Sequence, residues 1–350
     1  MSAPLHLLVP GPIDRPTGGS RYDARVVEAL RAMHWTVTVH ELAGAFPATD
    51  AEARTALDAT LAALPDGSRA VIDGLALGDS PAIAAAHAAR LRLLALVHHP
   101  LGDETGLDPA LRERLLEREA RALAVCEGAI VTSRHTRRRV AHLGVPETRI
   151  RVVAPGTDPA PPARGPAPGE PPMLLCVGSV IPRKGQDVLV AALERLRDTP
   201  WCCLIAGGTT ADPSFAAALR NRIHDAGLTD RIELAGECGP ARLDRAYDRS
   251  TLFVLPSHYE GYGMVLAEAL ARGLPVVSTT GGAIPDTVPE AAGRLVPPGD
   301  AAALAGAIAT LLHDHGARAR AARASRHYAG SLPNWTETGT LFAKAVEDLV

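Results

Sequence analysis

Short apolar runs of strand length alternate with amphipathic stretches of helix length from the start of the chain, and the same alternation restarts in its second half. This rhythm is typical of parallel sheets flanked by helices. In the first half it predicts six strands, at residues 5–9, 36–40, 70–73, 91–98, 129–132 and 150–153. Helices are predicted between them, near residues 21–33, 50–63, 80–90, 108–124 and 134–142.

A proline-rich stretch interrupts the alternation, since eight of the eighteen residues from Pro155 to Pro172 are proline. Neither a helix nor a strand ladder tolerates so many missing N–H donors. We therefore predict a stiff linker at 157–172 between two Rossmann-like domains, at 1–156 and 173–330, that face each other across a cleft. Ligands of such sheets bind beyond the carboxyl ends of the strands.

The second domain is predicted to contain five strands, at 173–177, 202–206, 232–234, 252–255 and 275–278, followed by an Ala-rich helical region. Residues 334–349 predict one more helix, with Leu341, Ala345 and Leu349 on one face. We expect this C-terminal segment, 331–350, to pack back on the first domain.

Composition excludes several classes of protein. The 350 residues are 47% hydrophobic, which is enough for two cores. The sequence has 36 basic and 39 acidic residues, so it lacks the excess of positive charge that binding to nucleic acid requires. Five cysteines without a C-x-x-C pair favour free thiols in a reducing compartment over zinc or disulfides. The N-terminus lacks the charged region of a secretion signal, and no run of about 18 apolar residues occurs, so a cytoplasmic protein is expected.

Two carboxylates eight residues apart form the most distinctive motif, in the run Ser257-His-Tyr-Glu260-Gly-Tyr-Gly-Met-Val-Leu-Ala-Glu268. A strand ends just before it and a helix is predicted to begin near its second glycine. The first helical amides suit a phosphate, and they belong to Gly263, Met264 and Val265. Glu260 precedes this helix and Glu268 lies inside it, so the two can act at different points of one elongated ligand. The alternative for each is a solvated carboxylate.

Adjacent cations follow the first strand of the second domain, in Gly178-Ser-Val-Ile-Pro-Arg183-Lys184-Gly185. Lys184 is one of only two lysines in the chain, with Lys344. Paired cations at a strand end are suited to a diphosphate whose negative charge grows in the transition state. The alternative is a solvated pair at a helix start.

Weaker signals lie in the first domain. Gly18-Gly19 precedes a predicted helix and can form an anion-binding nest, or an ordinary loop. His98 and His99 end the fourth strand, where period-two geometry sends them to opposite faces, so one of them can enter the cleft while the other is structural. The run Arg134-His-Thr-Arg-Arg-Arg139 favours a solvated helix face over contact with an anionic acceptor or a membrane surface.

Over nearly its whole length the chain resembles the family 4 retaining glycosyltransferases of the GT-B fold. Glu260 to Glu268 matches their E-x7-E motif, and Gly273-Leu-Pro-Val-Val277 with Thr280-Gly-Gly282 matches the segment that comes after this motif in the family. The resemblance implies that Glu260 contacts the donor sugar, that Glu268 binds the ribose and that His98 lies near the transferred sugar. It also implies catalytic roles for Glu260, His98, Arg183 and Lys184. The donor site that it implies comprises Gly18, Gly19, Arg183, Lys184, Glu260, Gly261, Tyr262, Gly263, Met264, Val265 and Glu268.

The expected reaction is transfer of a hexosyl group from a nucleotide-diphosphate sugar to a hydroxyl acceptor, with retention of configuration and without a cofactor. No D-x-D pair occurs in the sequence, so a metal that chelates the diphosphate is not expected. Alternatives on the same fold are a nucleotide-sugar epimerase, a phosphorylase and a non-catalytic nucleotide-sugar-binding protein. A dehydrogenase is disfavoured because the G-x-G-x-x-G fingerprint is absent.

Overall fold

The computed structural model describes residues 4–350, which form two compact units. Unit 1 comprises the chain up to Gly156 together with Pro333–Val350, and unit 2 comprises Thr157–Leu332. Each unit is built on a six-stranded sheet whose strands are all parallel. The predicted α/β class with two Rossmann-like units is confirmed.

The sheet of unit 1 has the order β2-β1-β3-β4-β5-β6. Its strands are β1 (Leu5–Pro10), β2 (Val37–Leu42), β3 (Arg69–Asp73), β4 (Arg92–Val97), β5 (Gly128–Val131) and β6 (Ile150–Val152). Its helices are α1 (Gly18–Ala32), α2 (Ala51–Ala63), α3 (Gly74–Leu77), α4 (Pro81–Ala88), α5 (Pro109–Ala124), α6 (Arg134–His142) and α14 (Trp335–Leu349). The strand order reverses between β1 and β3, and such a reversal opens a crevice at the carboxyl ends of the strands.

The sheet of unit 2 has the order β12-β11-β10-β7-β8-β9. Its strands are β7 (Met173–Val177), β8 (Cys202–Ala206), β9 (Ile232–Gly236), β10 (Leu252–Leu255), β11 (Val276–Thr279) and β12 (Gly293–Val296). Its helices are α7 (Gln186–Glu194), α8 (Pro213–Asp225), α9 (Pro240–Arg249), α10 (Met264–Ala271), α11 (Ile284–Thr287), α12 (Ala301–His313) and α13 (His315–Ala329). Here the order reverses between β7 and β10.

Nearly continuous apolar runs form the strands because helices cover both faces of a parallel sheet. Leu93 to Val97 in β4 and all of β10 are buried. The prediction of five strands in the second domain is wrong, because β12 is a sixth. This edge strand is only four residues long and contains an exposed arginine, Arg294, so it lacks the apolar run that identifies the others.

The C-terminal helix buries two of the three residues of the predicted face, Ala345 and Leu349, but not the third. Leu341 is 47% exposed, whereas Phe342 and Val346 are buried. Helix α14 packs against α1, and its Gly339 lies so close that a Cβ there would stand 2.5 Å from the Cβ of Ala29. Leu341, Ala345 and Leu349 follow a helical spacing. The large aromatic side chain of Phe342, which directly follows Leu341, is buried instead of the Leu341 side chain.

The proline-rich segment is bonded to unit 2 in its middle part. The amide of Ala163 donates to the carbonyl of Arg272, and Arg164 pairs with Asp248 through both its backbone and its guanidinium. These contacts fix residues 163–165 on the surface of α9 and the end of α10.

Candidate functional site

The two predicted cations of unit 2 lie at the reversal of its sheet. Arg183 and Lys184 end a short 3-10 turn, Pro182–Lys184, that follows β7, and Glu260 follows the neighbouring strand β10. Gly185 then turns the chain into α7 with φ 65°, and a Cβ there would stand 2.3 Å from the carbonyl oxygen of Pro256. Only glycine permits this approach, which brings the ends of the two strands together.

Glu260 accepts hydrogen bonds from two side chains at one oxygen. Its Oε1 lies 2.6 Å from Nζ of Lys184 and 2.6 Å from Oγ of Ser257. Its Oε2 lies 3.7 Å from Nη1 of Arg183, which also donates to the carbonyl of Tyr259 at 3.0 Å. We call Arg183, Lys184, Ser257 and Glu260 the unit 2 cluster.

The unit 2 cluster carries an excess of positive charge in a buried position. Burial raises the pKa of Glu260, but the charges of Lys184 and Arg183 and hydrogen bonds from Lys184 and Ser257 outweigh it, so this pKa lies below its usual value. Glu260 is therefore ionised at neutral pH. Two cations against one carboxylate give the cluster a net positive charge, which favours an anion beside it.

Thr280-Gly-Gly282 supports the backbone of Glu260. The amide of Ala283 donates to the Glu260 carbonyl at 2.8 Å, and Gly282, with φ 61°, brings its Cα so close that a Cβ would stand 2.3 Å from the same oxygen. A side chain at this position would displace Glu260 from the two cations. The glycines after β11 thus hold the carboxylate in place.

Helix α10 begins at Met264, directly after Gly263 in the left-handed conformation with φ 86°. The amides of Met264 and Val265 have no carbonyl one turn back inside the helix, as at every helix start. Gly261 and Tyr262 form the turn before it, and the Tyr262 carbonyl accepts from Oγ1 of Thr287 at 2.6 Å.

Glu268 lies half-buried one turn inside α10. Its Oε2 accepts a hydrogen bond from the hydroxyl of Tyr247 at 3.0 Å. The Tyr247 ring stacks on Phe253, with centroids 5.9 Å apart, and is itself buried. Because Tyr247 is held by this stacking, its hydroxyl fixes the orientation of the Glu268 carboxylate.

Gly18 and Gly19 occupy the first turn of α1, whereas the sequence predicted that they precede the helix as a nest or a loop. Thr17 caps the helix by accepting from the amide of Ser20 at 3.2 Å. Gly18 faces open space, whereas a Cβ on Gly19 would stand 3.2 Å from Cδ2 of His98. Gly19 and His98 are thus neighbours beside the reversal of the sheet in unit 1.

His98 and His99 contact different carboxylates. Nε2 of His98 lies 3.1 Å from Oδ1 of Asp23 and 3.4 Å from Oδ2 of Asp73, while Nε2 of His99 lies 3.6 Å from Oε2 of Glu104. Asp23 is on α1 and Asp73 ends β3, where its Oδ1 also accepts from the Leu75 amide at 2.7 Å. We call Asp23, Asp73 and His98 the unit 1 cluster.

The two carboxylates of the unit 1 cluster are almost fully buried. Burial raises the pKa of Asp23, although the neighbouring His98 lowers it. Burial lowers the pKa of His98, but the attraction of Asp23 and Asp73 outweighs this effect and raises it above its ordinary value. The two carboxylates therefore favour the protonated form of His98.

The structure brings the predicted residues together in two groups. Arg183, Lys184 and Glu260 meet in unit 2, and Gly19 and His98 meet in unit 1. The sequence analysis missed residues that hold them, namely Asp23, Asp73, Tyr247 and Ser257. Asp73 and Ser257 had a usable signal, because Asp73 is the last residue of a predicted central strand and Ser257 follows another by two residues.

The fold and these clusters define the class of Rossmann-like α/β proteins with paired, doubly wound units. Two family models match the chain: "Glycosyltransferase Family 4" over residues 74–161 and "Glycosyl transferases group 1" over residues 160–328. Together they run from residue 74 to residue 328. The chain belongs to the family 4 glycosyltransferases, as its E-x7-E motif predicts.

Curated relatives match the chain over part of their length. A GDP-mannose-dependent alpha-(1-6)-phosphatidylinositol monomannoside mannosyltransferase of Mycobacterium tuberculosis is 30% identical over 238 residues, which are 62% of this chain and 60% of that protein. A D-inositol 3-phosphate glycosyltransferase of Xylanimonas cellulosilytica is 32% identical over 225 residues, covering 59% and 54%. The matched segments thus span little more than half of these relatives.

Solved structures share the fold over the whole chain. Sucrose-phosphate synthase of Thermosynechococcus elongatus superposes with a TM-score of 0.84 at 24% identity and covers 99% of both chains. Anabaena Alr3699/HepE, solved in complex with UDP-glucose, has a TM-score of 0.75 at 16% identity and covers 99% of this chain and 100% of its own. Among residues 4–350, no helix combines the length and apolar character needed to cross a membrane.

Proposed function

We propose that the chain transfers a hexosyl group from a nucleotide-diphosphate sugar to a hydroxyl acceptor with retention of anomeric configuration. The observation that carries this proposal is the buried unit 2 cluster, in which Lys184 and Arg183 flank the ionised Glu260 at the reversal of a doubly wound sheet. Nucleotides and sugar phosphates bind at this point in such sheets. The names of the curated relatives, a mannosyltransferase and an inositol phosphate glycosyltransferase, support the same class of reaction.

In this proposal Arg183 and Lys184 hold the diphosphate, with help from the first amides of α10. As the bond to the sugar breaks, negative charge grows on the departing diphosphate, and fixed cations in a buried site stabilise it. Glu260, kept ionised by the same cations, faces the positive charge that develops at the anomeric carbon. The departing diphosphate accepts the proton of the incoming hydroxyl on the same face of the sugar.

Glu268 is proposed to accept hydrogen bonds from the ribose, oriented by Tyr247. We further propose that the reaction needs no metal, since the two cations neutralise the diphosphate and the sequence has no D-x-D pair to chelate a metal. Chelation by EDTA should leave the activity unchanged, and loss of activity that Mg²⁺ or Mn²⁺ restores would refute this part.

The first experiment identifies the nucleotide by thermal shift with UDP, GDP, ADP and dTDP, since a ligand that binds the native state raises Tm. The matching nucleotide sugars are then incubated with inositol phosphate and sugar acceptors, and release of the nucleoside diphosphate is measured. NMR of the product gives its anomeric configuration. Release without acceptor transfer would instead indicate a hydrolase or an epimerase side reaction, and binding without release a non-catalytic protein.

Lys184→Met tests the role of the cation. We expect kcat to fall by about 10²- to 10³-fold, because a fixed charge on the leaving group is lost. Lys344→Met is the matched control, since Lys344 is exposed on α14 and is the one other lysine of the sequence. If Lys184→Met, folded by circular dichroism, turns over as fast as Lys344→Met, the proposed role of Lys184 is wrong.

A further inference from the structure

Arg272, the residue that directly follows α10, joins several parts of unit 2. Its side chain is only 14% exposed, its guanidinium pairs with Asp244 on α9, and its Cζ lies 4.9 Å from the centroid of the Tyr247 ring. A cation over an aromatic face is attracted by the ring, and more strongly where water is excluded. Arg272 therefore holds the Tyr247 ring in addition to the stacking on Phe253.

Tyr247 contacts two residues that lie one turn apart at the end of α10. Glu268 and Arg272 are four positions apart, so their side chains leave the same face of the helix. The guanidinium of Arg272 lies over the Tyr247 ring, and the Tyr247 hydroxyl donates to Oε2 of Glu268 at 3.0 Å. Tyr247 is only 2% exposed. A shift of the Arg272 side chain would therefore reach the Glu268 carboxylate through a single buried ring.

The proline-rich segment is bonded to the same place. The amide of Ala163 donates to the Arg272 carbonyl at 2.8 Å, and the amide of Arg164 donates to the Asp248 carbonyl, also at 2.8 Å. The Arg164 guanidinium bonds to the Asp248 carboxylate, and this bond, with the charges of Arg164 and Arg272, holds the pKa of Asp248 below its usual value. Asp248 directly follows Tyr247, so the segment is attached both beside the ring and at the residue whose cation lies over it.

We propose that Arg272 is a positioning residue that couples the docked segment 163–165 to the carboxylate of Glu268, and so sets how tightly unit 2 binds the ribose of a nucleoside diphosphate. This inference rests on the proposed function, in which Glu268 accepts hydrogen bonds from the ribose. With the segment docked, Arg272 stays on the Tyr247 ring and Glu268 keeps the orientation that the ribose hydroxyls need. Because coupling between two sites is reciprocal, a bound nucleotide also strengthens the docking of the segment.

The first experiment measures how much of the affinity depends on the ribose hydroxyls. Isothermal titration calorimetry compares whichever of UDP, GDP and ADP binds with its 2′,3′-dideoxy form. The wild type should bind the ribose form about 10- to 100-fold more tightly, as expected for hydrogen bonds to a charged group. Arg272→Met keeps a long side chain without the charge and should reduce this preference about fivefold. Arg272→Lys should restore part of it, because an ammonium group is also attracted to an aromatic face.

Arg242→Met is the matched control. Arg242 is another ion-paired arginine of unit 2, with Glu233 as its partner, and its replacement should leave the preference unchanged. An Arg272→Met variant that keeps the full preference overturns the proposal. So does one that loses affinity equally for both forms, since that is the result of a purely structural role. A wild type that binds both forms equally tightly also overturns it, because Glu268 then takes no part in ribose binding.

Hydrogen exchange tests the coupling from the side of the segment. Four of the eight residues at 161–168 are prolines, which have no amide hydrogen, so exchange in this peptide reports chiefly on the amides of 163–165. A saturating nucleoside diphosphate should slow this exchange about fivefold in the wild type, and it should have no such effect in Arg272→Met. Exchange that stays the same when the wild type binds nucleotide would contradict the coupling.

The coupling is also measured without nucleotide. Tyr247→Phe removes the hydrogen bond to Glu268 and should speed exchange in the same peptide about threefold. Tyr22→Phe is the control, because it removes the hydrogen bond of a buried tyrosine in unit 1, to the Val153 carbonyl. Equal exchange in wild type and Tyr247→Phe overturns the proposal whether or not the protein is a transferase. If exchange responds as expected but UDP, GDP and ADP all fail to bind, the proposed function is refuted and the coupling from segment to Glu268 stands.

Discussion

Glu119→Gln should remove a large part of the pH dependence of stability in unit 1. Glu119 lies on α5, is 1% exposed, and accepts the Leu101 amide at 2.8 Å through Oε2, while its Oε1 has no hydrogen-bond partner among residues 4–350. Burial raises the pKa of this carboxyl to about 8; the Leu101 hydrogen bond and the charge of Arg139 lower it, and that of Asp103 raises it. Leu101 follows His98 by three residues, so Glu119 anchors the loop that carries the candidate histidine.

The sign and size of the effect are set by proton linkage. A carboxyl whose pKa rises from 4.5 in the unfolded chain to about 8 in the folded one stabilises the fold fully below pH 4.5 and loses that contribution as pH rises through about 8. Each tenfold change in the ionisation equilibrium corresponds to about 1.4 kcal/mol. On the order of 3 kcal/mol is therefore lost between pH 4.5 and 7, and about 5 kcal/mol in total by pH 9.

Glutamine keeps the acceptor for Leu101 but cannot ionise. The free energies of unfolding of wild type and Glu119→Gln should agree within about 1 kcal/mol at pH 5, and the variant should be more stable by about 3 kcal/mol at pH 7. Urea unfolding followed by hydrogen exchange in peptides of β4 and β5 reports unit 1 separately from unit 2. Glu117→Gln, an exposed residue of the same helix, is the control. A stability difference that stays constant between pH 5 and 8.5 would refute the assigned burial effect.

Two further substitutions test other contacts. Tyr247→Phe keeps the ring stacked on Phe253 but removes the hydrogen bond to Glu268. In steady-state kinetics, KM for the donor should therefore rise about fivefold while kcat stays unchanged. A loss of kcat alone would contradict the positioning role of Tyr247. Phe342→Ala should lower the free energy of unfolding by about 3–5 kcal/mol in urea titrations, whereas Leu341→Ala should change it by less than about 1 kcal/mol; equal losses would mean that the buried face of α14 is misassigned.

Most strands were predictable because burial on both faces imposes an uninterrupted apolar run. The predictions for β7, β8 and β10 match the structure residue for residue. The edge strand β12 was not predicted because an edge strand needs no uninterrupted apolar run. Helix α1 begins a turn earlier than predicted. Its first two residues are glycines, which are typical of loops, so the predicted helix began after them. The residue that marks the start of the helix is the N-cap Thr17.

Residues of the candidate site could be predicted where they belong to one contiguous sequence motif. Contacts that depend on the order of the strands in the sheet could not be predicted. Arg183, Lys184 and Glu260 could be named because glycines and charges cluster within short segments. That Lys184 would meet Glu260 required β7 to neighbour β10, and that Asp73 would meet His98 required β3 to neighbour β4. Periodicity predicts the type of each element but not which elements are neighbours in the sheet, so these contacts could not be predicted from the sequence.

Both clusters lie at or beside the reversal in the strand order of their own sheet, and their charge composition is opposite. Unit 1 places two carboxylates around one imidazolium, and unit 2 places two cations around one carboxylate. In each cluster the central group, His98 in unit 1 and Glu260 in unit 2, has the opposite charge to the pair around it. The pair favours the ionised form of this group, whereas burial alone would favour the neutral form. Replacing either member of a pair should therefore also weaken the ionised form of the central group, so the pH profile is an informative readout for both clusters beside the rate at one pH.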